Sequence, residues 1–171
     1  MGKLPSIPRP PLLWKQMSAD QRRQAAEAFW RDENAANQQA EAIAAIARFL
    51  KFRTKSVVVL PPARKIQYLL DLPVVPDSVA SRLLVSHHMA HKRGMMAAFL
   101  DALGVAHDNG MIAEEALVPS ESDKIHAAVK AIASSFPAED VALYLSTLSW
   151  QDPQTWVVLP EFPETRFPDK G

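Results

Sequence analysis

The sequence predicts an all-α fold, a single-domain bundle of six or seven helices with proline-rich extended arms at both termini. Three observations predict it. Between Asp77 and His91, at roughly 100° per residue, Val79, Ala80, Leu83 and Ala90 share one face, Leu84 sits at its edge, and Val85 and Met89 lie opposite. A helix apolar nearly all round is buried among others, so this stretch is the expected centre. Helix-start and helix-stop residues recur along the chain: Ser18 with Gln21, Pro61-Pro62, Gly104, and Pro137 with Glu139 and Asp140. The stretch that reads as extended, residues 56–60, has no convincing second strand to pair with.

Residues 1–17 carry Pro5, Pro8, Pro10 and Pro11, a density that forbids a helix and favours extended polyproline geometry. They read either as a docking peptide for an aromatic groove or, more plainly, as an arm anchored on its own domain by Leu12, Leu13 and Trp14. The helical core spans 18–150. Its first helix opens on the Ser18–Gln21 capping box and turns Ala25, Ala28 and Phe29 inward. The polar run Arg31-Asp32-Glu33-Asn34 ends it, with Asn34 capping a second helix from Ala35 to about Phe52. Ile43, Ile46, Ala47 and Leu50 are its inward positions. With no Gly or Pro between them, one long helix over 18–53 stays open as an alternative.

Pro61-Pro62 starts a third helix with Ile66, Leu69, Leu70 and Leu72 buried. The central helix closes with Lys92 and Arg93 in its last turn and Gly94 in the left-handed position beyond. Its partner runs over 95–103 and closes at Gly104 in the same way. Asp108-Asn109-Gly110 is a turn. A further helix after Ser120 or Ser122 spaces Ile125, Val129, Ile132 and Phe136 on one face, and the last helix follows Pro137 with Val141, Leu145 and Leu148. Residues 151–171 form a proline-punctuated tail. Its Trp156, Val157, Val158, Leu159 and Phe162 predict packing on the domain.

At 171 residues and 48% hydrophobic, the chain suits one domain with a real core. It has no cysteine, which removes disulfides, thiolate ligands and thiol nucleophiles. No apolar run has membrane-spanning length and the N-terminus lacks a signal-peptide core, so the expectation is a soluble cytoplasmic protein without a membrane partner. Zero net charge hides a segregation. Residues 48–93 hold 9 basic and 2 acidic side chains (+7), and 94–171 hold 4 and 12 (−8). Such asymmetry points to an anionic partner or to complementary contact within or between subunits.

Three groups of residues could carry chemistry. His87 and His91, four apart with His88 between, share a helix face as paired metal ligands do, with His107, Asp108 or His126 as further ligands. The plainer reading makes His87 a core-margin histidine and leaves His88 and His91 half exposed. Arg64 and Lys65 stand in the first turn of the third helix, where cations are unfavourable, so something negative should compensate. With Arg53 and Lys55 they form a candidate site for a small anionic ligand such as phosphate or carboxylate. The plainer reading fills that role with acids of the C-terminal half. The third and central helices could form a helix-turn-helix exposing Ser78, Ser81, Arg82, His88 and Lys92, but the connection is long and Val85 and Met89 interrupt the polar face.

His107, Asp108 and His126 could make an acid–base set. Phosphate loops, dinucleotide fingerprints and serine elbows are absent from the sequence. The reading is a non-catalytic binding or assembly protein, more an interaction module than an enzyme, with no cofactor beyond a possible divalent metal. It contacts a protein partner or itself. The alternatives are a metal-dependent enzyme using His87 and His91, and nucleic-acid or phospholigand binding through segment 48–93, with nucleic acid disfavoured by the acidic C-terminal half.

Overall fold

The computed structural model describes residues 7–168, and their fold is all-α. The described residues hold nine α-helices, one short antiparallel ladder and two 3₁₀ turns. They gather into two compact units: Arg9–His91, and the chain from Lys92 onward together with Ile7 and Pro8. Residues 1–6 of the proline-rich arm and 169–171 of the tail lie outside the described residues.

In the first unit, α1 (Pro10–Gln16) occupies a stretch whose prolines predict extended geometry. The prolines explain the difference. Pro10 and Pro11 fall on the first helical positions, where the missing N–H has no helical acceptor and φ is already set. Leu13 and Trp14 are buried, which anchors this part of the arm on its own unit. Helix α2 (Ala19–Arg31) opens on the expected capping box: the Gln21 N–H donates to Ser18 Oγ at 3.1 Å and the Ser18 N–H to Gln21 Oε1 at 3.0 Å. It is separate from α3 (Ala36–Leu50). Asn34 does not cap α3. The Asp32 carboxylate instead accepts the Asn34 N–H at 2.9 Å, and the Gln39 amide reaches back to the Phe29 and Asp32 carbonyls at 2.9 and 3.0 Å. These bonds satisfy the end of α2 and fix the corner.

Residues 54–58 form a short helix, α4 (Thr54–Val58), where the sequence predicts extended chain. An unpaired strand would leave its N–H and C=O groups without partners, whereas one helical turn begins to close them locally. Helix α5 (Pro62–Asp71) buries Leu69, with Leu72 just beyond it. Helix α6 (Asp77–His91) is the element around which this unit packs, taking α1, α2 and α3 against it. Val79, Ala80, Leu83 and Leu84 are buried, and so are Ser86, His87 and His88; Ala90 is exposed.

The second unit begins with α7 (Arg93–Leu103). Lys92 and Arg93 do not end α6, and Gly94 is not left-handed: the break falls at Lys92, and Gly94 is an ordinary helical residue of α7. The two cations make tertiary contacts instead. Lys92 Nζ meets Asp140 Oδ2 at 3.1 Å, and the Arg93 guanidinium donates to the Asn109 carbonyl at 3.0 Å. Helix α7 packs against α8 and the hairpin. It does close at Gly104 as expected (φ 76°), with the Val105 N–H on the Leu100 carbonyl at 2.9 Å.

A hairpin of β1 (His107–Asp108) and β2 (Met111–Ile112) follows, pairing His107 with Ile112 and Asp108 with Met111. Then come α8 (Ser122–Ala133) and α9 (Ala138–Gln151). The tail folds back through two 3₁₀ turns, Leu159–Glu161 and Pro163–Thr165, and buries Trp156, Leu159 and Phe162 in the core. Phe99 lies 5.7 Å from both the Tyr144 and Trp156 ring centroids. The Thr165 hydroxyl donates to the Leu159 carbonyl at 2.6 Å, tying the turns together.

Candidate functional site: a basic and apolar face

Helix α3 ends on Lys51 in the left-handed conformation (φ 58°), and the Phe52 N–H closes onto the Ala47 carbonyl at 2.8 Å. That turn leaves Phe52 and Arg53 exposed at the corner. Helix α4 is too short to bury more than Val57, so Val58 and Val59 face outward, Val59 with 79% of its surface exposed. In the connection between α5 and α6, Val74 is 72% exposed and lines a shallow groove with Arg48, Phe49, Leu72 and Pro76. Between residues 48 and 74 the unit therefore carries five large apolar side chains on its outside, Phe49, Phe52, Val58, Val59 and Val74, apart from the exposed Leu12 of α1. Exposed apolar groups scattered singly are ordinary, whereas contiguous ones mark interaction surfaces, and Phe49 and Val74 share one groove with Arg48.

The same stretch carries Arg48, Lys51, Arg53, Lys55 and Arg64, all exposed and in no ion pair among the described residues. Of the four cations expected to hold an anion, Lys65 is explained otherwise. Its Nζ lies 5.8 Å from the Trp30 ring centroid, where the negative π face supplies the compensation that the helix start lacks. Arg53, Lys55 and Arg64 face solvent.

The histidines fall differently from expectation. His87 and His88 are both buried, and only His91 is exposed. The His87 and His91 ring centroids are 5.8 Å apart, as an i, i+4 pair should be. His88 Nδ1 is 2.7 Å from the Leu84 carbonyl; since a carbonyl only accepts, Nδ1 carries the hydrogen and is closed to a metal. His107 donates from Nε2 to Asp101 at 2.6 Å, not to the adjacent Asp108, and accepts the Gly110 N–H on Nδ1 at 3.0 Å. His126 stacks on Phe162 at 4.2 Å and faces Glu164 at 3.3 Å. Among the described residues no group of three or more His, Asp or Glu side chains is placed to hold a metal ion.

The helix-turn-helix reading loses its reading face as well. His88 is buried, and Arg82 turns onto Asp32, giving Nε at 3.0 Å and Nη2 at 2.5 Å to Oδ2. The Ser86 hydroxyl adds a third bond to the same oxygen at 2.8 Å. Burial alone would push the Asp32 carboxyl up, but the hydrogen bonds from Arg82, the Asn34 N–H and Ser86, with the Arg82 charge, outweigh it and hold the group below the ordinary carboxylate value. A cleft lies beside this network, lined by Glu27, Arg31, Ser86 and His91 together with Ala28 and Met89.

No family model, curated protein or solved structure matches this chain. Among the described residues no helix is long and apolar enough to cross a membrane. The apolar half of the candidate face escaped the sequence reading because Val57, Val58 and Val59 read as a strand awaiting a partner. The signal was there: without a second strand to pair with, the run buries Val57 alone and leaves Val58 and Val59 outside.

Proposed function

We propose that this chain is a non-catalytic binding protein whose face over residues 48–74 docks a protein segment carrying both acidic and apolar side chains. The observation that carries the reading is the coincidence of five exposed large apolar groups with five cations that no carboxylate answers among the described residues. Apolar surface supplies the attraction, at about 25 cal/mol per Å² removed from water. The cations supply orientation and discrimination against basic partners. A small phosphate ligand or a nucleic-acid backbone would satisfy the charges but leave Phe52, Val59 and Val74 in water, so a protein segment fits better.

The test is fluorescence anisotropy with a synthetic acidic amphipathic peptide of alternating Glu and Leu. Saturable binding should weaken with added salt, with Arg53→Glu plus Lys55→Glu, and with Val59→Ser. Equal binding by the charge-reversed protein would refute the proposal. Binding of inorganic phosphate with the peptide ignored would favour the phospholigand reading instead.

A further inference from the structure

The second unit presents a surface of the opposite character. Its hairpin and the following loop place Met111, Ile112 and Leu117 on the outside, Leu117 with 90% of its surface exposed. Asp108, Glu114 and Glu115 are exposed beside them and in no ion pair among the described residues. This segment is held in shape. Asn109 and Gly110 both take positive φ (48° and 91°), the geometry that two-residue hairpin turns require. Arg93 grips the Asn109 carbonyl, and His107 fixes the Gly110 N–H. A preorganised loop loses little conformational freedom on docking.

We infer that the occupant of the basic and apolar face is a second copy of this chain, which inserts its acidic 108–117 segment. The inference rests on the binding role proposed above and names its partner. Each surface carries what the other lacks: cations with bulky apolar groups on one, carboxylates with bulky apolar groups on the other. The zero net charge of the chain thus conceals two surfaces of unlike charge. Because the contact joins different surfaces, it is heterologous. It closes into a ring or a reciprocal dimer, or continues as an open chain.

Sedimentation velocity on the full chain, from low micromolar to submillimolar concentration, reads the outcome. The sedimentation coefficient should rise with concentration and fall back with added salt. Glu114→Lys with Glu115→Lys should raise the dissociation constant roughly tenfold or more, since two attractive contacts become repulsive. Arg53→Glu with Lys55→Glu should do the same. Mixing the two variants should restore association, because the reversed loop of one then meets the reversed face of the other. Thermal melts equal to wild type establish that the exposed reversals fold, and Leu117→Ser provides an uncharged variant that should weaken association on its own.

Variants that associate like wild type, or a mixture that stays apart, overturn the inference. A monomer at every concentration that still binds the acidic peptide overturns self-docking and leaves the binding face standing. A monomer that also ignores the peptide overturns both.

Discussion

Three glycines give the most discriminating test of the local structure. Gly94 is helical, with open space where a Cβ would sit. Gly104 is left-handed (φ 76°), also with open space. Gly110 is left-handed (φ 91°), and an added Cβ would stand 2.8 Å from Met96 Cβ, 3.1 Å from the Arg93 carbonyl oxygen and 3.3 Å from the Ala97 nitrogen. Alanine at Gly94 should therefore stabilise by about 0.5–1 kcal/mol, because alanine restricts the unfolded chain and suits a helix. At Gly104 the left-handed penalty, offset by the same unfolded-state gain, should leave a loss of about 1 kcal/mol.

At Gly110 the penalty recurs and is joined by a collision with α7 backbone, which cannot swing away like a side chain. Overpacking of that kind costs roughly 1–3 kcal/mol, for a total loss of about 2–4 kcal/mol. Urea unfolding followed by tryptophan fluorescence and circular dichroism measures all three. Equal losses at Gly104 and Gly110 would refute the close approach of hairpin and α7. A destabilised Gly94→Ala would restore the left-handed helix end that the sequence suggests.

Leu83, fully buried on α6, should cost about 2–5 kcal/mol when cut to alanine, read as a lower urea midpoint; unchanged stability would misplace the core of the first unit. Ending the chain at Trp150 removes Trp156, Leu159 and Phe162 from the second core, each worth roughly 1.5–3 kcal/mol, so that unit should melt lower and bind a hydrophobic dye. Asp32→Asn should weaken the protein at neutral pH, and the deficit should shrink in acid. The folded-state pKa of Asp32 is depressed, so its stabilisation is complete above the ordinary carboxylate value and disappears as pH falls through the lower folded value. A deficit independent of pH in acid urea titrations would remove the charge from that account.

Helices were legible where local chemistry decides them. The Ser18 box, the Pro61-Pro62 start, the left-handed Gly104 and the apolar circumference of α6 all act within a few residues of chain. What stayed illegible depends on distant partners. Lys92 and Arg93 suit a helix end as well as they suit the contacts with Asp140 and Asn109 that they make, and nothing near them in sequence chooses between these. Asp32 lies 50 residues from Arg82 and 54 from Ser86, so its network has no local signature. The cations of 48–65 were readable as an unbalanced charge, but that Lys65 would sit over Trp30 while Arg53 stays in solvent was not.

Lys51 closes α3 in a conformation that glycine adopts freely and that costs an L-residue roughly 1–2 kcal/mol. For a protein engineer, this corner separates two objectives that are usually sought together. Glycine at 51 would relax the turn and raise thermal tolerance, yet it would also erase an ammonium from the rim of the proposed docking face. A thermostability screen would select that change, and an affinity screen would reject it. The preferred residue at 51 thus depends on which property is being optimised.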